Sequence, residues 1–332
     1  MSYSVIVCDD SRFARQQLIR GLPAGLAREV LTASNGEEAL KLLRAGQGEL
    51  LFLDLNMPGL DGYQVLEAIR REELNVLVIV VSGDIQAQAH QRILELGALA
   101  FVHKPLNNDQ LLSLLERFGL MPSSDETPTS YPIPPAQELA PVSYQESLQE
   151  IVNIAMGQAA RQLADLLNLF IHLPIPKVQL STSPRINQQI EAWLEMPSSM
   201  VVSQGFVGSS IAGECLIHFE EQDICRIAPL LGFEDGDELD RQSLLIELSS
   251  MLAGTLLLGL SDLLGLRFSR SHPALLTQSG DSILAQQAQA QKILSVSLTY
   301  TIPAQQISCT LLLLLTDTSL SALERRLSLI AE

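Results

Sequence analysis

The first 120 residues alternate short apolar runs with longer stretches in which apolar positions recur every three or four residues. Val5-Ile6-Val7-Cys8, Val30-Leu31-Thr32, Leu51-Phe52-Leu53, Val76 to Val81 and Ala100-Phe101-Val102 read as buried strands. Between them, Glu37 to Arg44, Gln64 to Glu72 and Gln110 to Phe118 carry amphipathic helical periodicity. Five such βα units predict an α/β fold, a doubly wound five-stranded parallel sheet of the flavodoxin-like kind. In these sheets ligands bind beyond the carboxyl ends of the strands, so the informative residues are those that directly follow each apolar run.

The second half has a different pattern. Slid along itself by 97 residues it matches without a gap: Glu150 falls on Glu247, Gly157 on Gly254, Leu163 on Leu260, Asp165 on Asp262 and Pro176 on Pro273. An internal duplication is predicted, with repeat 1 at about 143–235 and repeat 2 at about 239–332. Each copy opens with a long helix, about Ser143 to Leu169 and about Leu239 to Leu264. Strands follow at Met200 to Ser203 and Glu214 to Phe219, and at Ile293 to Thr301 and Ile307 to Thr316, with a second helical pattern in each copy. The expected product is a pseudo-two-fold α+β domain whose two long helices lie together on a sheet.

Between the halves, residues 121–142 show neither periodicity and hold six of the 16 prolines, which predicts a linker. In a polyproline-like state about 20 residues could reach roughly 60 Å. The chain therefore divides into a domain at 1–120, a Pro-rich linker at 121–142 and a second domain at 143–332.

Composition narrows the function classes. With 21 Lys and Arg against 38 Asp and Glu, the formal charge is −17, a field that repels phosphate backbones and excludes nucleic acid as an expected partner. Residues 1–120 carry 11 basic and 15 acidic side chains, net −4, leaving 10 and 23, net −13, downstream. Cys8, Cys215, Cys225 and Cys309 lie far apart without metal-ligand or CxxC spacing, as expected of isolated thiols in a reducing cytoplasm. The carboxylates at Asp9 and Asp10 interrupt the N-terminal apolar run, so no secretory segment is expected there. The uncharged run from Leu248 to Ser261 is short of the roughly 20 residues a bilayer span needs and reads as a buried helix, with no membrane insertion.

The residues at the predicted strand ends are Asp9 and Asp10, Asp54, Ser82 and Lys104. Three carboxylates, a hydroxyl and an ammonium converge there. Like charges held together call for a cation, and a hard divalent ion with oxygen ligands, Mg²⁺, is expected. With Asp54 in LDLNMPGLDG, Ser82 in VVSGD and Lys104 followed by Pro105, residues 1 to about 120 resemble the CheY-like receiver domain of bacterial response regulators. The resemblance implies that Asp54 accepts a phosphoryl group from a histidine kinase. It further implies that Asp9, Asp10, Asp54 and the carbonyl of Asn56 hold Mg²⁺, that Lys104 binds phosphoryl oxygens, and that Ser82 and Phe101 form the switch pair. His90 and His103 fit no part of this pattern and are expected to be solvated.

In the first long helix, Glu146, Glu150, Asn153 and Gly157 share one face. Asn and Gly are poor interior helix residues, so a stripe carrying both predicts a role beyond helix stability, here an exposed docking face. Ser147 to Glu150 also fits a capping box, as does Ser143 to Glu146 directly after Pro141. From about residue 143 the chain resembles the CheC, CheX and FliY family of chemotaxis phosphatases, whose site reads Asp or Ser, three residues, Glu, two residues, Asn, twenty-two residues, Pro. Glu150, Asn153 and Pro176 match, with Glu146 at the leading position; the second copy has Ser243, Glu247 and Pro273 but Ser250 in place of Asn.

The resemblance implies an aspartyl-phosphate phosphatase, a hydrolase in two-component or chemotaxis signalling. Glu150 would grip the lysine of a receiver and Asn153 orient water, with Glu247 and Ser250 a degenerate second site. Its substrate would be a separate phosphorylated CheY-type receiver or the chain's own Asp54. The competing reading is a non-catalytic module, switched by phosphorylation, that docks to a motor-switch or chemoreceptor-adaptation protein.

Overall fold

The computed structural model describes residues 2–121, 143–173, 175–232, 238–277, 282 and 292–331. The predicted linker therefore lies, but for Met121, outside the described residues. The chain forms two compact units, Met1–Glu150 and Ile151–Ile330, and their division falls within one long helix.

In the first unit β1 (Tyr3–Cys8), α1 (Arg12–Gly21), β2 (Ala27–Ala33), α2 (Gly36–Arg44), β3 (Leu50–Leu53), α3 (Gly62–Arg71), β4 (Leu77–Ser82), α4 (Ala87–Glu95), β5 (Ala100–His103) and α5 (Asn108–Arg117) alternate. The sheet is fully parallel in the order β2-β1-β3-β4-β5, as predicted. Alternation along the strands sends side chains to two cores. Ile6, Leu51, Leu53 and Val80 pack with Leu40 of α2, Val65 and Ile69 of α3 and Ile93 of α4. On the opposite face Val5, Val7, Leu50, Phe52 and Ile79 pack with Leu18 of α1 and Leu111 and Leu115 of α5. Polar caps start the helices that follow: Ser11 Oγ accepts from Ala14 N at 3.2 Å, and Asp61 with Gln64 completes a capping box on α3.

The second fold begins with α6 (Tyr144–Leu167) and continues through β6 (Lys177–Thr182), α7 (Ser183–Leu194), β7 (Ser199–Gly208), β8 (Ile211–Glu220) and α8 (Glu221–Leu230). The order then recurs with α9 (Glu238–Leu264), the short β9 (Ser269–Arg270) and β10 (Ala274–Leu275), β11 (Lys292–Ile302), β12 (Ile307–Leu315) and α10 (Asp317–Ala331). The mixed α+β sheet runs β10-β7-β8-β12-β11-β6, every pairing antiparallel, with β9 also on β7. The first strand of each copy crosses over: β6 pairs with β11 of the second copy and β10 with β7 of the first. Each copy thus completes the sheet edge of the other.

Helices α6 and α9 meet where side chains are smallest. A Cβ on Gly259 would lie 3.0 Å from the Cα of Ala155, and Thr255 Oγ1 donates to Gln162 Oε1 across the same seam. The apolar run from Leu248 to Ser261 sits inside α9, whose bounds agree with the helix expected at about Leu239 to Leu264. Its 24-residue segment Arg241–Leu264 meets the length and hydropathy of a membrane span, while 61% of its most apolar window is buried inside the protein. Packing against α6 and the sheet accounts for that apolarity. All four cysteines are free; Cys8, Cys215 and Cys309 are buried and Cys225 is half-buried.

Overpacking the seam tests it. Gly259→Leu forces a branched side chain onto the α6 backbone and is expected to lower the unfolding free energy by about 1–3 kcal/mol. A shift of the urea midpoint at constant slope measures the loss.

Candidate functional site

Because all five strands run parallel, their carboxyl ends open on one edge of the sheet. Asp9 and Asp10 leave β1 there, and Ser11 N donates to Asp9 Oδ1 at 2.8 Å while Arg15 Nη1 donates to the carbonyls of Asp9 and Asp10 at 2.5 and 3.1 Å. Asp54 follows β3, and Asn56 N donates to its Oδ2 at 3.0 Å. A glycine is needed at residue 62, since a Cβ would stand 2.3 Å from the carbonyl of Asp54 and 2.7 Å from the Cα of Leu55. The close start of α3 depends on it. Ser82, wholly buried, ends β4 and accepts from Asp84 N at 3.1 Å. Lys104 follows β5, where the Lys104-Pro105 peptide is cis.

The Lys104 ammonium is the hub. Its Nζ donates to Asp9 Oδ2 at 2.7 Å and forms ion pairs with Asp54 Oδ1 at 3.1 Å and Glu150 Oε1 at 2.9 Å. All four side chains are buried. Glu150 is the last residue of the first unit, so this cluster lies wholly within that unit. Burial by itself would push Lys104 down, but Asp54, Asp9 and Glu150 outweigh it and hold its pKa well above the ordinary value.

The carboxylates carry the opposite strain. Burial, together with their neighbours' charge, raises Asp9 and Asp54, with Lys104 opposing the rise. Burial, with repulsion from Asp54, pushes Asp10 up to about 7. One carboxylate oxygen from each of Asp9, Asp10 and Asp54 lies within 4.8 Å of the others. Three oxygen donors so close, raised by burial and mutual repulsion that Lys104 only partly offsets, suit a hard divalent cation. Asn56, half-buried beside Asp54, is available for the carbonyl that the resemblance implies.

Phe101 is half-buried on β5 with two imidazoles edge-on to it, His103 at 4.7 Å and His90 at 5.6 Å between ring centroids. Both histidines are exposed, as expected, but they are not idle: they flank the aromatic position. Sequence reasoning passed over Asp84, which is buried, accepts from Gln86 N at 3.0 Å, and is pushed up to about 6 by burial. It passed over Arg15 as well. A lone Asp after Gly and a helical Arg carry no spacing signal that singles them out.

On α6 the cap is settled by hydrogen bonds. Glu146 N donates to Ser143 Oγ at 3.2 Å and Ser143 N donates to Glu146 Oε2 at 3.0 Å, the reciprocal box. Glu150 is therefore not used as a cap. Its stripe is not an exposed docking face either, contrary to expectation: Glu150 and Asn153 are only 3% and 6% accessible. Glu150 is buried because it reaches Lys104. Asn153, three residues on, has a buried Oδ1 with no hydrogen-bond partner among the described residues, and Pro176 is buried. In the second copy Glu247 is exposed and Ser250 half-buried, so the two copies differ in environment as well as in residue type.

Residues 5–116 match the model of the response regulator receiver domain, and this segment is a receiver domain. A protein-glutamate methylesterase/protein-glutamine glutaminase of Symbiobacterium thermophilum is 34% identical over 154 residues, 45% of this chain and 42% of the relative. Across the first curated relatives the chain spans 26–56% of their length. Among solved structures, Thermotoga maritima FliY aligns over 56% of this chain and 96% of its own, at 18% identity and a TM-score of 0.45. A chain of the CheX-CheY-BeF3-Mg+2 complex from Borrelia burgdorferi aligns over 34% of this chain and 87% of its own, at 31% identity and a TM-score of 0.32.

The raised Asp10 sets the pH behaviour of the cation-free protein. Its folded value of about 7 exceeds the ordinary 3.8, so the stability from this group is present at low pH and lost as pH rises through about 7. Comparing wild type with Asp10→Asn in chelator should show that loss, by thermal unfolding between pH 4 and 8. Since the proton must leave before the cation binds, Mg²⁺ affinity is expected to be at least about tenfold weaker at pH 6 than at pH 8. Calorimetric titration measures it.

Proposed function

We propose that this chain is a two-component signalling protein in which Asp54 accepts a phosphoryl group from a histidine kinase and α6 supplies an aspartyl-phosphate phosphatase. The observation that best supports the reading is the 2.9 Å contact of Glu150 Oε1 with Lys104 Nζ. A carboxylate from α6 reaches the ammonium that serves the phosphoryl site. Asn153 follows on the same helix face, about 4.5 Å of rise further along.

The chemistry follows from charge and position. Asp54 attacks phosphorus through a carboxylate oxygen, forming a mixed anhydride and releasing the neutral imidazole of the donor. Lys104 would hold one phosphoryl oxygen, and Ser82 can turn its hydroxyl from the Asp84 amide toward another, making room for Phe101 to move inward. Mg²⁺, when held by Asp9, Asp10, Asp54 and the Asn56 carbonyl, supplies the remaining neutralisation of phosphoryl charge. Hydrolysis then needs a positioned water more than a strong base. The Asn153 carboxamide can accept a hydrogen bond from that water through Oδ1 and donate one to it through Nδ2. The water oxygen bonds phosphorus, the bond from Asp54 oxygen to phosphorus breaks, and the products are the Asp54 carboxylate and dihydrogenphosphate, which holds both water protons until one passes to solvent.

Glu150 in this reading is a positioning residue that acts through its ion pair with Lys104. The substrate in this reading is either the chain's own Asp54 phosphate or that of a separate CheY-type receiver. Ser250 is short and lacks the paired donor and acceptor of an amide, so the second copy contributes little.

Loading the full chain with a small-molecule phosphodonor and Mg²⁺, then timing phosphate release, tests the reading. Asn153→Ala is expected to slow release about a hundredfold, equivalent to about 2.7 kcal/mol, and Ser250→Ala to leave it nearly unchanged. Equal losses from both would defeat the assignment. An Asp54→Ala chain that still dephosphorylates a separate receiver would show action in trans.

A further inference from the structure

The second copy holds a cavity that phosphotransfer does not use. Its volume is about 400 Å³, within the range of small-molecule sites. Met251, Leu257, Leu258 and Phe268 give it an apolar wall, and Ser250 and Arg270 a polar end. Leu258, 57% exposed, stands at its rim.

Arg270 is built into this cavity. Its Nη1 donates to the carbonyl of Ser250 at 3.0 Å, and a Cβ on Gly254 would come within 2.1 Å of that nitrogen. The guanidinium therefore lies against helix backbone that only glycine leaves bare. Among the described residues no carboxylate forms an ion pair with Arg270, in a region whose charge is otherwise strongly negative. By the 97-residue offset Arg270 stands where the first copy has Leu173, a buried core residue, and Ser250 where it has Asn153. The two copies have diverged at neighbouring positions in the same direction, away from apolar filling and amide chemistry and toward a cationic pocket.

The donors limit the ligand. Thr255 and Ser261 line the cavity too, but the one Thr255 hydroxyl proton is shared between Gln162 Oε1 and the Met251 carbonyl and that of Ser261 goes to the Leu257 carbonyl at 2.7 Å, so they offer an anion only lone pairs. The guanidinium, the Ser250 hydroxyl and the Gln162 amide remain as donors. The guanidinium grips one carboxylate with two parallel hydrogen bonds and matches its single charge, whereas one cationic group leaves a phosphate dianion half-neutralised. We propose that this cavity binds a small organic carboxylate with an apolar body, the carboxylate on Arg270 and the body against Leu257, Leu258 and Phe268. The site goes beyond the phosphatase reading and does not depend on it.

Calorimetric titration of the full chain with 1-naphthoate tests this. Saturable binding at one site per chain is expected, weakened at least tenfold in Arg270→Gln and changed less than twofold in Arg267→Gln, an exposed arginine outside the cavity. On the unaltered protein, neutral 1-naphthalenemethanol should bind at least tenfold more weakly, a comparison independent of whether any variant folds. No saturable naphthoate binding up to millimolar concentration, equal affinity for the neutral analogue, unchanged affinity in a folded Arg270→Gln, or displacement of naphthoate by equimolar inorganic phosphate would each overturn the proposal.

Discussion

One ammonium surrounded by carboxylates organises the first unit. Lys104 Nζ lies within 3.1 Å of oxygens from Asp9, Asp54 and Glu150, all buried, with Asp10 close by. A single positive charge cannot balance four negative ones, and in a poorly solvated pocket the excess is costly unless protons or a cation join it. The raised carboxylates express that imbalance, as does the strong hold on the lysine proton. A site with surplus negative charge is poised for a divalent cation. The same charge balance explains why a fourth carboxylate, from α6, can be accommodated only on the lysine.

The scaffold is rigid where the cluster needs it. Buried strands on both faces fix the strand ends, and Gly62 lets α3 start against the Asp54 backbone. Half-buried Phe101 packs against the core on one side and has two exposed imidazoles edge-on to its ring.

In the second fold, exchange of the β6 and β10 edge strands ties the copies into one sheet. Neither copy can lose its helix or strands without stripping the other's edge. Side chains on the helix faces are under no such constraint, and there the copies differ: buried Glu150 and Asn153 in one, exposed Glu247, half-buried Ser250 and the Arg270 guanidinium in the other. Shared architecture with divergent faces is what a duplication retains when packing is constrained and chemistry is free to change.

Periodicity and spacing alone determined the parallel sheet, the placing of Asp9, Asp10, Asp54, Ser82 and Lys104 at its strand ends, and the doubling of the second half. These are local or strictly repeating signals, and strand direction then dictates which ends converge. Tertiary structure decided what spacing could not encode. It set the burial of Glu150 against Lys104, the choice of Ser143 and Glu146 as the cap, the exchange of edge strands, the roles of Asp84 and Arg15, and the seating of Arg270 on Gly254. Each depends on contacts between residues far apart in the chain, where a side chain's neighbours, not its type, decide whether it is a cap, a ligand or a counter-charge.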